Sequence, residues 1–174
     1  NPEIARVTVI RGAQKGTIWF QDLYKYPDLD IALRGGDKVL VEEDTRKFTA
    51  LGATGSQSLV PFETQTLSGL EAIAQVGGLL SNAADPTGVF ILRNEPAELA
   101  NQVLGRDDLV GAQRMVYVLD LTQPNGMFHA RDFAVRDGDT LYVTEAPFTQ
   151  WDKGISALTG TLTSANTLAD ATGN

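Results

Sequence analysis

The stretch Asp30-Ile-Ala-Leu-Arg-Gly-Gly-Asp-Lys-Val-Leu-Val-Glu-Glu43 returns later in the chain as Asp132-Phe-Ala-Val-Arg-Asp-Gly-Asp-Thr-Leu-Tyr-Val-Thr-Glu145. The shared skeleton is Asp-x-Ala-x-Arg-x-Gly-Asp-x-apolar-x-Val-x-Glu. Gly-Asp makes a tight turn, and the β-branched and aromatic residues after it read as a short strand. Upstream, in the same order, Val7-Thr-Val-Ile-Arg11 matches Val89-Phe-Ile-Leu-Arg93, and Thr17-Ile-Trp-Phe-Gln-Asp-Leu23 matches Met115-Val-Tyr-Val-Leu-Asp-Leu121. Three collinear blocks make an internal repeat, which organises the chain before any single element is assigned.

The second copy carries extra residues between its blocks, chiefly Asn94 to Arg114, and a first half that the other copy lacks. That half runs from Phe48 to Gly88. It offers a strand-like Phe48-Thr-Ala-Leu-Gly52, a Gly/Ser turn, a second strand at Leu59-Val-Pro-Phe62, and a helix. Ser68-Gly-Leu-Glu71 is a capping box, Leu67, Leu70, Ile73 and Ala74 share a helical face, and Gly77-Gly78 supplies the stop. By the logic of the repeat, the first copy lacks about forty residues that would complete it, so residues 1–46 are expected to be the second half of a unit.

Composition bounds the rest. The 174 residues have 14 Lys+Arg against 22 Asp+Glu, a net charge of −8. With no basic cluster denser than Arg46-Lys47, nothing recommends nucleic acid or an anionic lipid surface as a partner. Only 21% of residues are charged and 43% are hydrophobic, which describes a folded chain, and 17 glycines make it rich in turns. Zero cysteines exclude disulfides, thiolate nucleophiles and Cys-ligated metals.

The single histidine, His129, has no second histidine and no Gly-x-Ser-x-Gly to complete a nucleophile pair, so a solvated or structural role is expected. Glu42-Glu-Asp44 and Asp107-Asp108 lack the spacing of a calcium loop, and Gly52-Ala-Thr-Gly55 lacks the Lys of a phosphate cradle. Arg34 and Arg136 each precede a Gly-Asp, at Gly36-Asp37 and Gly138-Asp139. A local salt bridge from Arg34 to Asp37 and from Arg136 to Asp139 would pin each turn; contact with sugar or a neighbouring subunit is the alternative. Tyr24-Lys-Tyr26 with Pro27 reads as an exposed loop. No residue set calls for a cofactor or a metal, and an enzyme is the least expected class.

After Pro147 the pattern changes. Trp151, Ile155, Leu158, Leu162, Ala165 and Ala169 recur at heptad spacing, with Ser156, Gly160, Thr163 and Thr167 behind them. No ionisable side chain lies between Lys153 and Asp170, which at about 1.5 Å per residue is roughly 24 Å of uncharged helix. A helix on the surface of an acidic protein ordinarily carries charge. This one suits either a seam packed on its own domain or a neighbour, or a ring of copies with the apolar seam toward lipid and Ser156, Gly160, Thr163 and Thr167 toward a water-filled lumen. Trp151 fits an interfacial anchor in the second case.

Phe48-Thr-Ala-Leu-Gly52, Thr66-Leu-Ser-Gly-Leu-Glu-Ala-Ile-Ala-Gln-Val-Gly-Gly-Leu79, Val89-Phe-Ile-Leu-Arg93 and Arg136-Asp-Gly-Asp-Thr-Leu-Tyr-Val143 together resemble an SLBB domain, the soluble-ligand-binding β-grasp module. Glu71, Ala72, Gly77 and Gly78 fall on that family's helix pattern. The chain departs from it at Leu51-Gly-Ala-Thr-Gly-Ser-Gln-Ser-Leu59, where the usual Gly-x-Val-x-x-Pro-Gly turn is not kept. Tandem SLBB units followed by a C-terminal helix are similar to the outer-membrane polysaccharide export proteins, the capsule-secretion channels of Gram-negative bacteria.

The resemblance implies an α+β fold of β-grasp units, the first incomplete (1–46), the second complete (47–146), and a C-terminal amphipathic helix (147–174). It also implies a homo-oligomeric ring in the outer membrane whose bulk is periplasmic. Its expected partners are the exported polysaccharide, an inner-membrane export or copolymerase protein, and outer-membrane lipid through the helix. A soluble carbohydrate- or small-ligand-binding β-grasp module and a periplasmic envelope adaptor are the competing readings.

Overall fold

The computed structural model of the protein describes residues 1–145. In chain order the elements are β1 (Ala5–Arg11), β2 (Gln14–Trp19), α1 (Asp22–Lys25), a single 3-10 turn (Pro27–Leu29), β3 (Lys38–Glu43), β4 (Lys47–Gly52), β5 (Ser58–Pro61), α2 (Gly69–Gln75), β6 (Val89–Glu95), α3 (Ala97–Leu104), β7 (Gln113–Leu119), α4 (Pro124–Asp132) and β8 (Thr140–Val143). The fold is α+β, as expected.

The strands form two sheets. One has the order β2-β1-β3, and the other β5-β4-β8-β6-β7. All pairings are antiparallel except β4 with β8, which lie side by side at the centre of the larger sheet. Helix α2 covers one face of that sheet, as in a β-grasp. Its Ala72, Ile73 and Val76 join Phe48, Val89, Ile91, Leu119, Leu141 and Val143 in one buried core, where Phe48 and Phe62 meet edge to face at 6.2 Å.

The repeat survives in three dimensions. β1 and β3 pair as Val7↔Val41 and Val9↔Val39; β6 and β8 pair as Val89↔Val143 and Ile91↔Leu141. The small sheet thus reproduces the β7-β6-β8 half of the large one, and among the described residues it has no counterpart of β4, β5 and α2.

The structure corrects the register of one repeated block. In the small sheet Val7 faces Ile18 and Arg11 faces Gln14; in the large sheet Val89 faces Leu119 and Arg93 faces Met115. The structural counterpart of Met115 is therefore Gln14, not Thr17. An odd slip turns side chains to the opposite face, and similar apolar runs on two-residue alternation hide it.

Helix α2 begins as expected. The Ser68 hydroxyl accepts from the Glu71 N–H at 3.2 Å, and the Glu71 carboxylate accepts from the Ser68 N–H at 2.8 Å. The helix ends at Gly77 and Gly78, both with positive φ. The buried face differs by one position from the expected one: Gly69, Ala72, Ile73 and Val76 point inward, and Ala74 is exposed. The sequence pattern does not predict α1, α3 or α4. The Tyr24-Lys-Tyr26 segment, expected as a loop, holds the end of α1, although both tyrosines are exposed.

Candidate functional site

The polar centre of the large sheet is built by the ends of β6 and β8. Arg93, the last residue of the repeated strand block, lays its guanidinium against Asp139, with Nε at 2.8 Å and Nη2 at 2.6 Å from the two carboxylate oxygens. Nη2 also donates to the Ala134 carbonyl at 2.7 Å. Asp139 in turn accepts from the Arg136 N–H at 2.8 Å, so one carboxylate closes the turn and holds the strand.

The small sheet carries the same device. Arg11 donates to Asp37 at 2.9 and 2.6 Å and to the Ala32 carbonyl at 3.0 Å, and the Arg34 N–H donates to Asp37 at 2.8 Å. Gly36 and Gly138 take φ of +93° and +80° in the two turns, a conformation that a side chain resists. The expected side-chain bridges from Arg34 to Asp37 and from Arg136 to Asp139 are thus corrected. Each aspartate does pin its turn, but Arg34 and Arg136 meet it through backbone alone, the N–H donating to the carboxylate and the carbonyl accepting from the aspartate N–H, and the paired guanidinium comes from the distant strand.

The Arg136 guanidinium is used elsewhere. It reaches Glu95 at 2.9 Å, and Glu95 also accepts from the Tyr117 hydroxyl at 2.9 Å and lies 3.3 Å from Arg93. Glu95 is buried, and burial pushes its carboxyl up; the Tyr117 hydroxyl, Arg93 and Arg136 outweigh that and hold it below the ordinary value. Burial first, and then the bond to Glu95, raise the Tyr117 phenol. Arg93 is also flanked by the rings of Phe133 and Tyr117, at 5.0 and 5.6 Å.

A third arginine fastens the two sheets to each other. Arg46, in the link between β3 and β4, lies 5.1 Å from the ring centre of Trp19 at the end of β2 and 4.7 Å from that of Phe62, the core residue just after β5. Asp44 fixes it at 2.7 Å and the Gln65 carbonyl accepts from it at 2.7 Å. Sequence reasoning misses Arg46 and the Arg11 and Arg93 clamps alike. For the clamps a signal exists, since both copies of the strand block end in arginine.

These groups are matched to one another rather than poised for chemistry. Every buried side-chain nitrogen or oxygen among the described residues has a hydrogen-bond partner, and no three His, Cys, Asp or Glu side chains among them converge as metal ligands. Asp108 pairs with Arg106 at 2.6 Å, and His129 sits on α4 beside a shallow cleft with Tyr117, Asp132 and Phe133. The loop that departs from the family turn is pinned: the Ala53 N–H donates to the Val143 carbonyl, the Gly55 N–H to Gly78, and the Leu80 N–H to Ala53. Among the described residues no helix is long and apolar enough to cross a membrane. The seam of Trp151, Ile155, Leu158, Leu162, Ala165 and Ala169, and the polar stripe of Ser156, Gly160, Thr163 and Thr167, lie outside the described residues.

Comparison with known proteins agrees with this architecture. The chain is 35% identical over 159 residues to the capsule polysaccharide export protein BexD of Haemophilus influenzae, covering 88% of this chain and 40% of that protein. It is 32% identical over 161 residues to the Vi polysaccharide export protein VexA/TviF of Salmonella typhi, covering 92% and 43%. With the capsule polysaccharide export outer membrane protein CtrA of Neisseria meningitidis the figures are 32% over 181 residues, 99% and 46%. The chain therefore spans less than half the length of these relatives. The SLBB domain family matches residues 46–143, which take in β4 to β8 with α2, the Arg93–Asp139 clamp and the Glu95 cluster. The chain belongs to the SLBB domain family.

Proposed function

We propose that this chain is part of a subunit of a polysaccharide export channel in the Gram-negative outer membrane. The observation that carries the reading is the similarity to capsule and Vi polysaccharide export proteins, which in one case covers 99% of the chain and so includes its uncharged C-terminal stretch. The chemistry of the body supports it. A conduit needs a rigid scaffold and no covalent step, and the buried charges here are committed to each other.

On this reading copies assemble as a closed ring, with residues 1–145 in the periplasm. Residues 147–174 form the membrane helix, its Trp151-to-Ala169 seam toward lipid and its Ser156, Gly160, Thr163 and Thr167 stripe toward the lumen. The polymer moves through without being bound tightly, handed on by an inner-membrane export protein. The direct test compares size and membrane association of the full-length protein with and without residues 147–174. The proposal expects the truncated protein to lose both the large assembly and the outer-membrane fraction; an unchanged assembly in an unchanged fraction overturns it.

A further inference from the structure

The large sheet ends in β7, the last strand of its order, and the hydrogen-bond pattern says which main-chain groups face out from it. The Thr144 N–H donates to the Gly88 carbonyl at 3.0 Å, one step beyond the Val89↔Val143 pair. Bonded and unbonded pairs alternate along an antiparallel ladder, so the even-numbered residues of β6 bond to β8 and the odd-numbered ones to β7. On β7 the bonded residues are therefore Gln113, Met115, Tyr117 and Leu119. Arg114, Val116 and Val118 turn their N–H and C=O groups to the free edge, where no hydrogen bond among the described residues uses them.

The other edge of the sheet is closed to strand addition. The Phe62 N–H donates to the Arg46 carbonyl at 3.0 Å, so with Lys47 and Pro61 in register it is Leu59 and Pro61 that face out from β5. Proline has no N–H to donate and β5 is only four residues long, two devices that keep an edge from pairing. β7 has neither, with seven residues and no proline or glycine. On its outer face Val116 and Val118 are 38% and 45% exposed beside Leu92 at 41%. On its inner face a shallow cleft of about 390 Å³ runs between the strand and α4, lined by Tyr117, Leu119, His129, Asp132 and Phe133.

We infer that the β7 edge binds an extended segment of a partner protein, added to the sheet as a further strand antiparallel to β7. The residues opposite Val118 and Val116 are apolar, covering the exposed valines, and those between them point into the cleft beside α4. The residue opposite Arg114 is acidic. Arg114 is exposed and joins no ion pair among the described residues, and opposite charges facing each other across a ladder stabilise it. The edges of this sheet in a second copy do not supply that acid. β5 offers Leu59 and Pro61, and β7 paired with itself about Val116 sets Arg114 opposite Val118. The inference does not depend on what the protein exports.

The test is amide exchange in the full-length protein, read at Val116 and Val118, with and without the end-blocked peptide Ser-Val-Thr-Val-Thr-Glu-Ser at about 1 mM. In the protein alone both amides should exchange near the free rate, and with the peptide about tenfold more slowly. Protection in the protein alone overturns the inference by giving the edge to a second copy or to another segment of the chain. No slowing with the peptide overturns it too. A twin peptide N-methylated at both valines and the glutamate keeps the side chains and loses the donors, so it should protect neither amide; protection equal to the parent's would rule out strand addition. A twin with Lys in place of Glu should need about threefold more peptide for the same protection, and equal potency would contradict the acidic partner.

Discussion

Arg93 and Asp139, 46 residues apart in sequence, face each other as guanidinium and carboxylate at 2.8 and 2.6 Å, and the same pair recurs in the small sheet as Arg11 and Asp37. Both side chains of the Arg93 pair are nearly inaccessible, at 7% and 1%. Removing Asp139 takes both short carboxylate bonds from a buried guanidinium and leaves it the longer 3.3 Å approach to Glu95 and the Ala134 carbonyl, at a cost of about 3 kcal/mol. Asp139→Ala should therefore lower the stability of the large unit by about that much, read as a fall in the urea midpoint. Arg136→Ala should cost under about 1 kcal/mol, because that side chain is half exposed and Glu95 keeps Tyr117 and Arg93. The reverse order would contradict the clamp.

The small-sheet clamp is read best through pH. Arg11 donates to Asp37 and the Arg34 N–H adds a second donor, which together lower the Asp37 carboxyl from 3.8 to about 2. A carboxyl whose folded value is depressed stabilises the fold fully above its unfolded value and loses that contribution as pH falls toward the folded one. The Asp37 contribution is therefore intact above pH 4, roughly, and gone by about pH 2. Carbon-detected NMR of the carboxyl should give a midpoint near 2, rising toward 3.8 in Arg11→Met. Equal midpoints in the two proteins would remove Arg11 from the account.

The capping box makes a smaller, local prediction. Ser68→Ala should cost about 1 kcal/mol, and Ser68→Thr should recover most of it. The Glu71 carboxyl lies below its ordinary value because the Ser68 N–H, and then the Ser68 hydroxyl, donate to it. The Glu71 titration should shift upward in Ser68→Ala. An unmoved titration would mean that the box is not closed in solution.

At Gly52 the chain turns with φ +86° against the end of β8, and an added Cβ would meet the Val143 carbonyl. Gly52→Ala should destabilise by roughly 2 kcal/mol or more, through strain and displacement of backbone that cannot yield. Gly12→Ala also has positive φ but open space around it, so it should cost about 1 kcal/mol. Thermal melts of the two variants separate the terms, and equal losses would show that close approach contributes nothing.

The strands and α2 are legible because their signals are local: β-branched alternation, Gly-Asp turns, a cap three residues from its glutamate. α4 is not, since Pro124-Asn-Gly-Met127 offers a glycine in its first turn and no side-chain cap, and it is the packing of Ala130 against the core that holds the helix. The clamps escape for a related reason. Spacing along the chain favours Arg136 as the partner of Asp139, but sheet pairing brings Arg93 across from another strand, and pairing between distant strands is what local spacing does not report. The resemblance to the export family, by contrast, rests on ordered blocks over most of the chain, and so does not depend on any one side-chain assignment.

The central claim is export through a ring closed by the C-terminal segment, and the most direct measurement is surface polysaccharide in cells lacking the native protein. Re-expressed full-length protein should restore the polymer to the cell surface. The same protein without residues 147–174, expressed to equal levels, should leave the surface bare while polymer accumulates inside the outer membrane. Surface polysaccharide at the full-length level from the truncated protein would contradict the account.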